Sequence, residues 1–334
     1  MDKHTPKTVS LLICAYNEEK TIGNKIENIL SNDRNDSVKE IIIVDDNSFD
    51  KTIEIVDRYA QEYEKITALK NTHKKGKWGA LVTGYGQAQG EIICISDADV
   101  MFEKDTLENA LVLFDDLSVG GVSANQKNRL DKNGNEGQSF VSRYEMSMNL
   151  FRTVTSAVCS NVSSHGQCLF VRKAYLDLPG DGLMADDVYI SILLSRKGYR
   201  VLFSKKSYYI EKLCDPFDKN SKKIFYRRAM AIAEAMIKNK DIIFNPRYKK
   251  FGLICFPIWF FLYVVFPFLV IIVLGITVSF LLRYGHIFLL LIFLSMCIFC
   301  YKLLVMIWFQ AVSVIKYIIK PKGNMSRWET CRNG

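Results

Sequence analysis

The chain has 334 residues, 49% of them hydrophobic, enough for one substantial α/β domain with apolar sequence left over for a bilayer. Its net charge of +9 comes from basic residues that crowd the flanks of two apolar runs and carry no RNA- or DNA-binding motif, so anionic lipid headgroups, and no nucleic acid, are the indicated partner. Nine scattered cysteines read as reduced and structural; the one Cys-x-x-Cys pair, Cys297 and Cys300, lies inside an apolar run with no second pair to complete a zinc site.

Met1 to Thr8 holds no apolar core of signal-peptide length, and the large domain is therefore expected in the cytoplasm. Strand and helix signals then alternate over residues 8–118. Val9 to Cys14 reads as a strand, Glu18 to Leu30 as a helix, Glu40 to Val44 as a strand and Thr52 to Tyr63 as a helix. Ile66 to Lys70, Gly79 to Ala88 and Ile92 to Ser96 continue the rhythm as strand, helix and strand. Such alternation predicts a mostly parallel sheet covered by helices, with ligands beyond the carboxyl ends of the strands. From Val119 to about Lys240 the pattern loosens into a polar turn at Asp131 to Gly137, a helix at Ser139 to Arg152 and an apolar segment at Gln167 to Val171. This half, 119–240, is expected to shape an acceptor site.

Phe251 to Leu282 contains no charged residue in 32 positions, and Ile287 to Phe309 contains only Lys302. The linker Arg283-Tyr284-Gly285-His286 suits a helical hairpin, so the expectation over 251–309 is two transmembrane helices followed by a basic tail, 310–334. Lys238, Lys240, Arg247, Lys249 and Lys250 precede the hairpin and Lys316, Lys320, Lys322, Arg327 and Arg332 follow it, against Arg283 alone in the turn. By the positive-inside rule both flanks are cytoplasmic, which describes a multi-pass integral membrane protein with its large domain, 1–240, in the cytoplasm. Pro257 and Pro267 are expected to interrupt the first run and leave room for a third, interfacial segment.

Three acidic clusters carry the chemistry. In Asp97-Ala98-Asp99, two carboxylates at a strand end can share one space if a hard divalent cation offsets their repulsion; a loop turn ahead of a helix at Thr106 is the bland alternative. Asp45-Asp46-Asn47-Ser48-Phe49-Asp50-Lys51-Thr52 can be a capped strand-to-helix turn, but capping needs one of these residues, and paired carboxylates can also accept from a nucleobase N–H and ribose hydroxyls. Asp186-Asp187 reads either as a helix start favoured by the dipole or as a general base.

Ala15-Tyr16-Asn17-Glu18 after the first strand, the Asp45 motif after the second, Gly76-Lys77 before a helix and then Asp97-Ala98-Asp99 together resemble family 2 glycosyltransferases, over roughly residues 8–240. The resemblance implies the GT-A fold, an α/β Rossmann-like nucleotide-diphospho-sugar transferase domain, with an inverting mechanism and a nucleotide-sugar donor, UDP-linked in the first instance. It implies that Ala15, Tyr16, Asn17, Glu18, Asp45 and Asp46 line the nucleotide pocket, that Lys77 lies close to the base or phosphates, and that Asp97 and Asp99 hold Mg²⁺ or Mn²⁺. Asp187, with Asp186 as its neighbour, falls where the family keeps its catalytic base. Arg227 and Arg228 fall where members often carry basic residues that meet the diphosphate. The Gln-x-x-Arg-Trp motif of processive members such as cellulose and hyaluronan synthases is missing there, which argues against long-chain synthesis. His165 and Gly166 occupy a loop that contacts donor sugar or acceptor in many members, and Trp328 opens a segment that looks like the Trp-x-x-Thr-x-Arg tail of some membrane-bound relatives.

The resulting expectation is a metal-assisted, membrane-bound inverting glycosyltransferase acting on a lipid-linked or surface-glycan acceptor. A nucleotidyltransferase using a nucleoside triphosphate is one rival, and a catalytically silent membrane scaffold that retains the fold is another.

Overall fold

Apolar runs without a turn signal become strands covered on both faces. In the computed structural model, β1 (Val9–Ala15) is buried at every position. Around it the chain lays α1 (Ile22–Asn32), β2 (Val38–Asp45), α2 (Thr52–Glu62), β3 (Ile66–Lys70), α3 (Lys77–Gln87) and β4 (Ile92–Asp97). Then follow β5 (Met101–Phe102), α4 (Thr106–Leu111), β6 (Val119–Asn128), α5 (Phe140–Val158), β7 (Cys168–Arg172), α6 (Asp186–Arg196) and β8 (Arg200–Glu211). The structure describes residues 7–32, 36–128, 140–180, 185–211, 221–284, 286–299 and 301–319. They form two compact units, one within Met1–Leu213 and one within Cys214–Met325.

The first unit is built on an eight-stranded sheet in the order β3-β2-β1-β4-β7-β6-β8-β5. β1 pairs in parallel with β2 and β4, and β2 with β3, whereas β7 runs antiparallel to both β4 and β6. Alternation along a strand sends successive side chains to opposite faces. Leu11, Ile13, Ile41 and Ile43 accordingly pack with Ile22, Ile26 and Ile29 of α1, while Leu12, Cys14, Ile42 and Val44 pack with Ala80 and Leu81 of α3. Both faces are sealed, and the polar positions are driven to the strand ends. In register, Ala15 pairs with Asp45 and Cys14 with Asp97, which lines up the carboxyl ends of three neighbouring parallel strands.

Two expectations within this unit are corrected. α1 begins at Ile22 rather than Glu18, because the backbone of residues 17–19 is hydrogen-bonded to the turn after β2. Cys14, Cys94 and Cys168 are buried free thiols, but Cys159 is disulfide-bonded, against the all-thiol reading.

The second unit is helical. α7 (Ser221–Lys238) precedes one continuous helix, Phe251–Arg283, which at 33 residues is long and apolar enough to cross a membrane. Pro257 and Pro267 do not interrupt it: each follows a π-helical turn, Phe251–Cys255 and Phe261–Val265, whose wider backbone makes room for a ring that would strike the carbonyl four residues back. In the early part Phe251, Phe256 and Trp259 are buried, whereas Leu269, Ile272, Val273, Ile276 and Phe280 are exposed. Cys255, on this helix, is also disulfide-bonded.

The expected second span falls on Ile287–Phe299 and Tyr301–Ile319, which lie on either side of a residue outside those the structure describes. Among the described residues only Phe251–Arg283 has membrane length, so a multi-pass arrangement is not supported. The stretch Leu303–Ile319 instead packs on its own unit: Gln310 Nε2 donates to Tyr263 O at 3.0 Å, and Lys316 Nζ lies 4.7 Å from the Tyr226 ring centre.

Candidate active site

Four short segments meet beyond the carboxyl ends of β1, β2 and β4. After β1 the chain turns at Asn17 and after β2 at Asn47, both with left-handed backbone, φ 57° and 62°. Asparagine tolerates that region because its short side chain bonds locally. The two turns are stitched together: Asn17 N–H donates to Ser48 Oγ at 2.9 Å, Phe49 N–H donates to Asn17 Oδ1 at 2.9 Å, and Glu18 N–H donates to Thr52 Oγ1 at 2.7 Å.

Asp45 and Asp46, both buried, take separate structural partners. Asp45 accepts from Ser48 N–H at 3.1 Å and from the Ser48 hydroxyl, closing the turn on itself. Asp46 accepts from Asn71 Nδ2 at 2.6 Å and from Gly76 N–H at 2.8 Å, drawing the 71–76 loop against β2. Gly76 sits at φ 126°, a conformation side chains resist, and delivers the chain directly into α3 with Lys77 as its first residue.

Lys77 is the junction of the site. Its Nζ lies 2.7 Å from Asp97 Oδ1 and 3.2 Å from Asp186 Oδ2, and donates to Gly166 O at 3.4 Å. Burial alone would lower this lysine, but Asp186 and Asp97 outweigh it and hold the ammonium well above the usual lysine value. A single cation thus ties the end of β4, the start of α6 and the 159–167 loop together. In the sequence Asp186 stands 109 positions after Lys77.

Asp187 follows Asp186 on the first turn of α6, its Oδ1 accepting from Val188 N–H at 2.8 Å. Gly166 presses on it: a Cβ added there would stand 3.2 Å from Asp187 Cβ and 3.3 Å from its Oδ2. Neighbouring His165 is buried, its Nδ1 2.5 Å from the Tyr209 hydroxyl and its N–H donating to Ser123 Oγ at 2.9 Å.

Asp99, half-buried, lies two residues past Asp97 in the turn between β4 and β5. Beneath that turn Lys25 of α1 is fully buried, its Nζ donating to Val100 O at 2.8 Å and lying 3.7 Å from the Phe102 ring centre. Burial lowers this lysine to about 8. Among the described residues no cluster of three or more His, Cys, Asp or Glu side chains could hold a metal ion. Two carboxylates do fit Mg²⁺ or Mn²⁺ where substrate phosphate oxygens and water complete the shell, as these ions ordinarily require.

The sequence did not point to Phe49 and Lys75. Phe49 is 83% exposed and meets Tyr16 edge-on, ring centres 6.3 Å apart, with Lys75 Nζ 4.8 Å from the Tyr16 ring and 5.3 Å from that of Phe49. A large exposed aromatic between Ser48 and Asp50 was the available signal. Arg227 and Arg228 lie on α7, in the second unit, and Trp328 lies outside the described residues.

An α/β sheet with acidic strand ends, an acidic helix start and a bridging lysine defines a GT-A domain. The model of the family described as "Glycosyl transferase family 2" matches residues 10–177, and the chain belongs to that family. Its fold is shared with the mannosyltransferase PcManGT from Pyrobaculum calidifontis, solved with GDP-Man and Mn²⁺, at a TM-score of 0.76 and 22% identity over 96% of this chain and 89% of that one. GalNAc-T7, solved with UDP, GalNAc and Mn²⁺, matches at a TM-score of 0.52 and 14% identity over 75% of this chain and 52% of its own. In sequence the chain is similar to the beta-monoglucosyldiacylglycerol synthase of Nostoc sp., 32% identical over 56% of this chain and 41% of that protein. It is also similar to the poly-beta-1,6-N-acetyl-D-glucosamine synthase of Staphylococcus aureus, 27% identical over 58% and 47%. The chain spans less than half the length of these curated relatives.

Proposed function

We propose that the protein is a membrane-anchored inverting glycosyltransferase that moves one sugar from a nucleotide-sugar donor, UDP-linked, to a lipid-linked or surface-glycan acceptor. The observation that carries this reading is the Lys77 bridge between Asp97 and Asp186, which gathers the acidic clusters at one end of the sheet. A scaffold without chemistry has no need to gather a buried and a partly buried carboxylate around one ammonium, since each is costly to remove from water.

In this reading Tyr16 and the Asn17–Glu18 turn, with Asp45 and Asp46 fixing the adjoining loops, form the nucleotide floor beside Ala15. Asp97 and Asp99 would hold Mg²⁺ or Mn²⁺, which when bound supplies positive charge to the leaving diphosphate. Lys77 adds a second positive charge at the same place, moving from Asp97 toward the phosphates as donor enters. Asp187 takes the proton of the acceptor hydroxyl as its oxygen attacks the anomeric carbon; the bond from that carbon to the diphosphate oxygen breaks on the opposite face, and nucleoside diphosphate departs. Gly166 leaves room for the base, and His165 fixes the loop that carries it.

The helix Phe251–Arg283 would anchor the enzyme, and the basic residues Lys238, Lys240, Arg247, Lys249 and Lys250 before it support a cytoplasmic catalytic domain facing anionic lipid. A relative named for a glucosylated diacylglycerol supports a lipid acceptor. The test is release of nucleoside diphosphate by purified protein across UDP-, GDP- and dTDP-sugars, with Mn²⁺, Mg²⁺ or chelator. Metal-dependent release from one donor, lost in Asp187→Asn, is expected. Release of pyrophosphate from a nucleoside triphosphate would replace this reading with a nucleotidyltransferase, and no turnover with any donor or acceptor would leave a scaffold.

A further inference from the structure

α5 is folded inside out. Its inward side is polar: Arg152, Thr155 and Ser156 are buried, Arg152 Nε donates to Ser163 O at 2.9 Å, and Ser156 Oγ accepts from Phe203 N–H at 2.9 Å. The outward side is apolar, with Met146 71%, Leu150 65%, Val154 50% and Val158 43% exposed and Phe151 alongside. A helix on a soluble surface does the reverse. Residues four apart lie one above another, so these four make a straight row about 18 Å long. The exposed positions between 146 and 158 include Ser147 and Ala157 and no charged residue.

We infer that this row rests on the bilayer, its side chains among lipid acyl chains at the surface where the acceptor is presented. The inference rests on the membrane-anchored, lipid-acceptor reading above. Three observations favour lipid over other occupants. The five side chains offer about 500 Å² of apolar surface, short of the roughly 800 Å² per partner that a stable dimer buries. The segment just before α5, residues 129–139, has Leu130 as its one aliphatic side chain and cannot supply a cover. And the same chain carries a membrane-length helix with an outward face of Leu269, Ile272, Val273 and Ile276, so a bilayer is at hand.

The placement also joins the surface to the chemistry. α5 runs directly into the 159–167 loop, which Arg152 braces at Ser163 and which ends with Gly166 against Asp187. A helix seated a few ångströms into the headgroup region would hold that loop, and the base beside it, at the height of a lipid headgroup hydroxyl.

The test uses the full chain in nanodiscs of phosphatidylcholine and phosphatidylglycerol, with the photoreactive residue benzoylphenylalanine at position 150 or 154. Position 61 is the control, because Gln61 is exposed on α2, which packs against β3 at the edge of the sheet away from β8 and α5. Illumination should attach phospholipid, read by mass, at 150 and 154 and not at 61. Cross-linked dimers, or no lipid adduct at either position, would overturn the inference. Cross-linking needs no turnover, so adducts formed by a protein inactive on every donor would uphold the surface while removing the enzyme reading. Given activity, Leu150→Glu with Val154→Glu should cut transfer to a bilayer acceptor at least tenfold while leaving hydrolysis of donor without acceptor unchanged; equal loss of both reactions would count against it.

Discussion

Lys77→Met keeps most of the stem and removes the cation between Asp97 and Asp186. At 2.7 and 3.2 Å, each contact has a gross attraction of about 5–6 kcal/mol at an effective dielectric near 20, much of it offset by desolvation. Deleting one member of such a pair costs about 3–5 kcal/mol because the partners stay buried and unbalanced. About a quarter of the Lys77 side chain meets solvent, which favours the lower end, and at roughly 2–4 °C per kcal/mol the melting temperature should fall by about 6–12 °C. Differential scanning fluorimetry in EDTA and in Mn²⁺ reads the effect. Mn²⁺ should restore most of the loss in the variant, where it replaces the missing charge, and move the parent protein little. Because the pair raises Lys77 above 10.5, its contribution is fully present below that pH and lost only as pH climbs through the raised value, so the difference between the two proteins should be flat from about pH 7 to 9. A variant as stable as the parent in EDTA, or one that Mn²⁺ stabilises no more than the parent, would refute the bridge.

Asp187→Asn should lower transfer by about 10²–10⁴-fold with nucleotide affinity nearly unchanged, measured by turnover and by calorimetric titration of UDP; full activity would remove Asp187 as the base. Gly166→Ala places a methyl group 3.3 Å from Asp187 Oδ2 and should lower kcat more than it raises KM, whereas unchanged kcat would show that the carboxylate yields without consequence. Lys25 is lowered to about 8 by burial, so between that pH and 10.5 the unfolded chain holds a proton that the folded one has released, and stability gains up to about 3 kcal/mol as pH rises through this window. Urea midpoints of the parent and Lys25→Met at pH 7 and pH 10 should therefore show the gain in the parent alone, and parallel slopes would count against a strained, charged Lys25 at neutral pH.

Residues 8–118 were legible because their strands are short Ile- and Val-rich runs, each closed by an acidic or polar turn; β3 begins and ends at the residues its pattern predicts. Asp45, Asp97 and Asp186 were visible for the same reason: in a sheet covered on both faces, charge belongs only at strand and helix ends. The bridge that unites them was not visible, since nothing local to Lys77 announces partners at 97 and 186. β8 escaped because its middle, Ser204 to Ser207, is polar: Lys205 and Lys206 are exposed, and the two buried serines bond each other, Ser204 Oγ donating to Ser207 Oγ at 2.9 Å, in place of apolar packing. α5 was read only to Arg152, a residue that looks like a solvated terminus and is instead a buried strut. The prolines of the long helix looked like breaks because π-helical turns have no simple sequence signature.

The stitched turns after β1 and β2 carry a thermodynamic consequence. Asn17, Glu18 and Glu19 donate backbone N–H groups to Ser48, Thr52 and Asp50, and Phe49 and Lys51 return theirs to Asn17 and Glu19. Five reciprocal bonds freeze both loops before any ligand arrives, so the conformational entropy that a floppy pocket surrenders on binding has been surrendered at folding. On the proposed reading, a nucleotide should therefore meet these turns as a rigid body meets a mould, with little ordering of the 16–19 and 48–52 segments on binding.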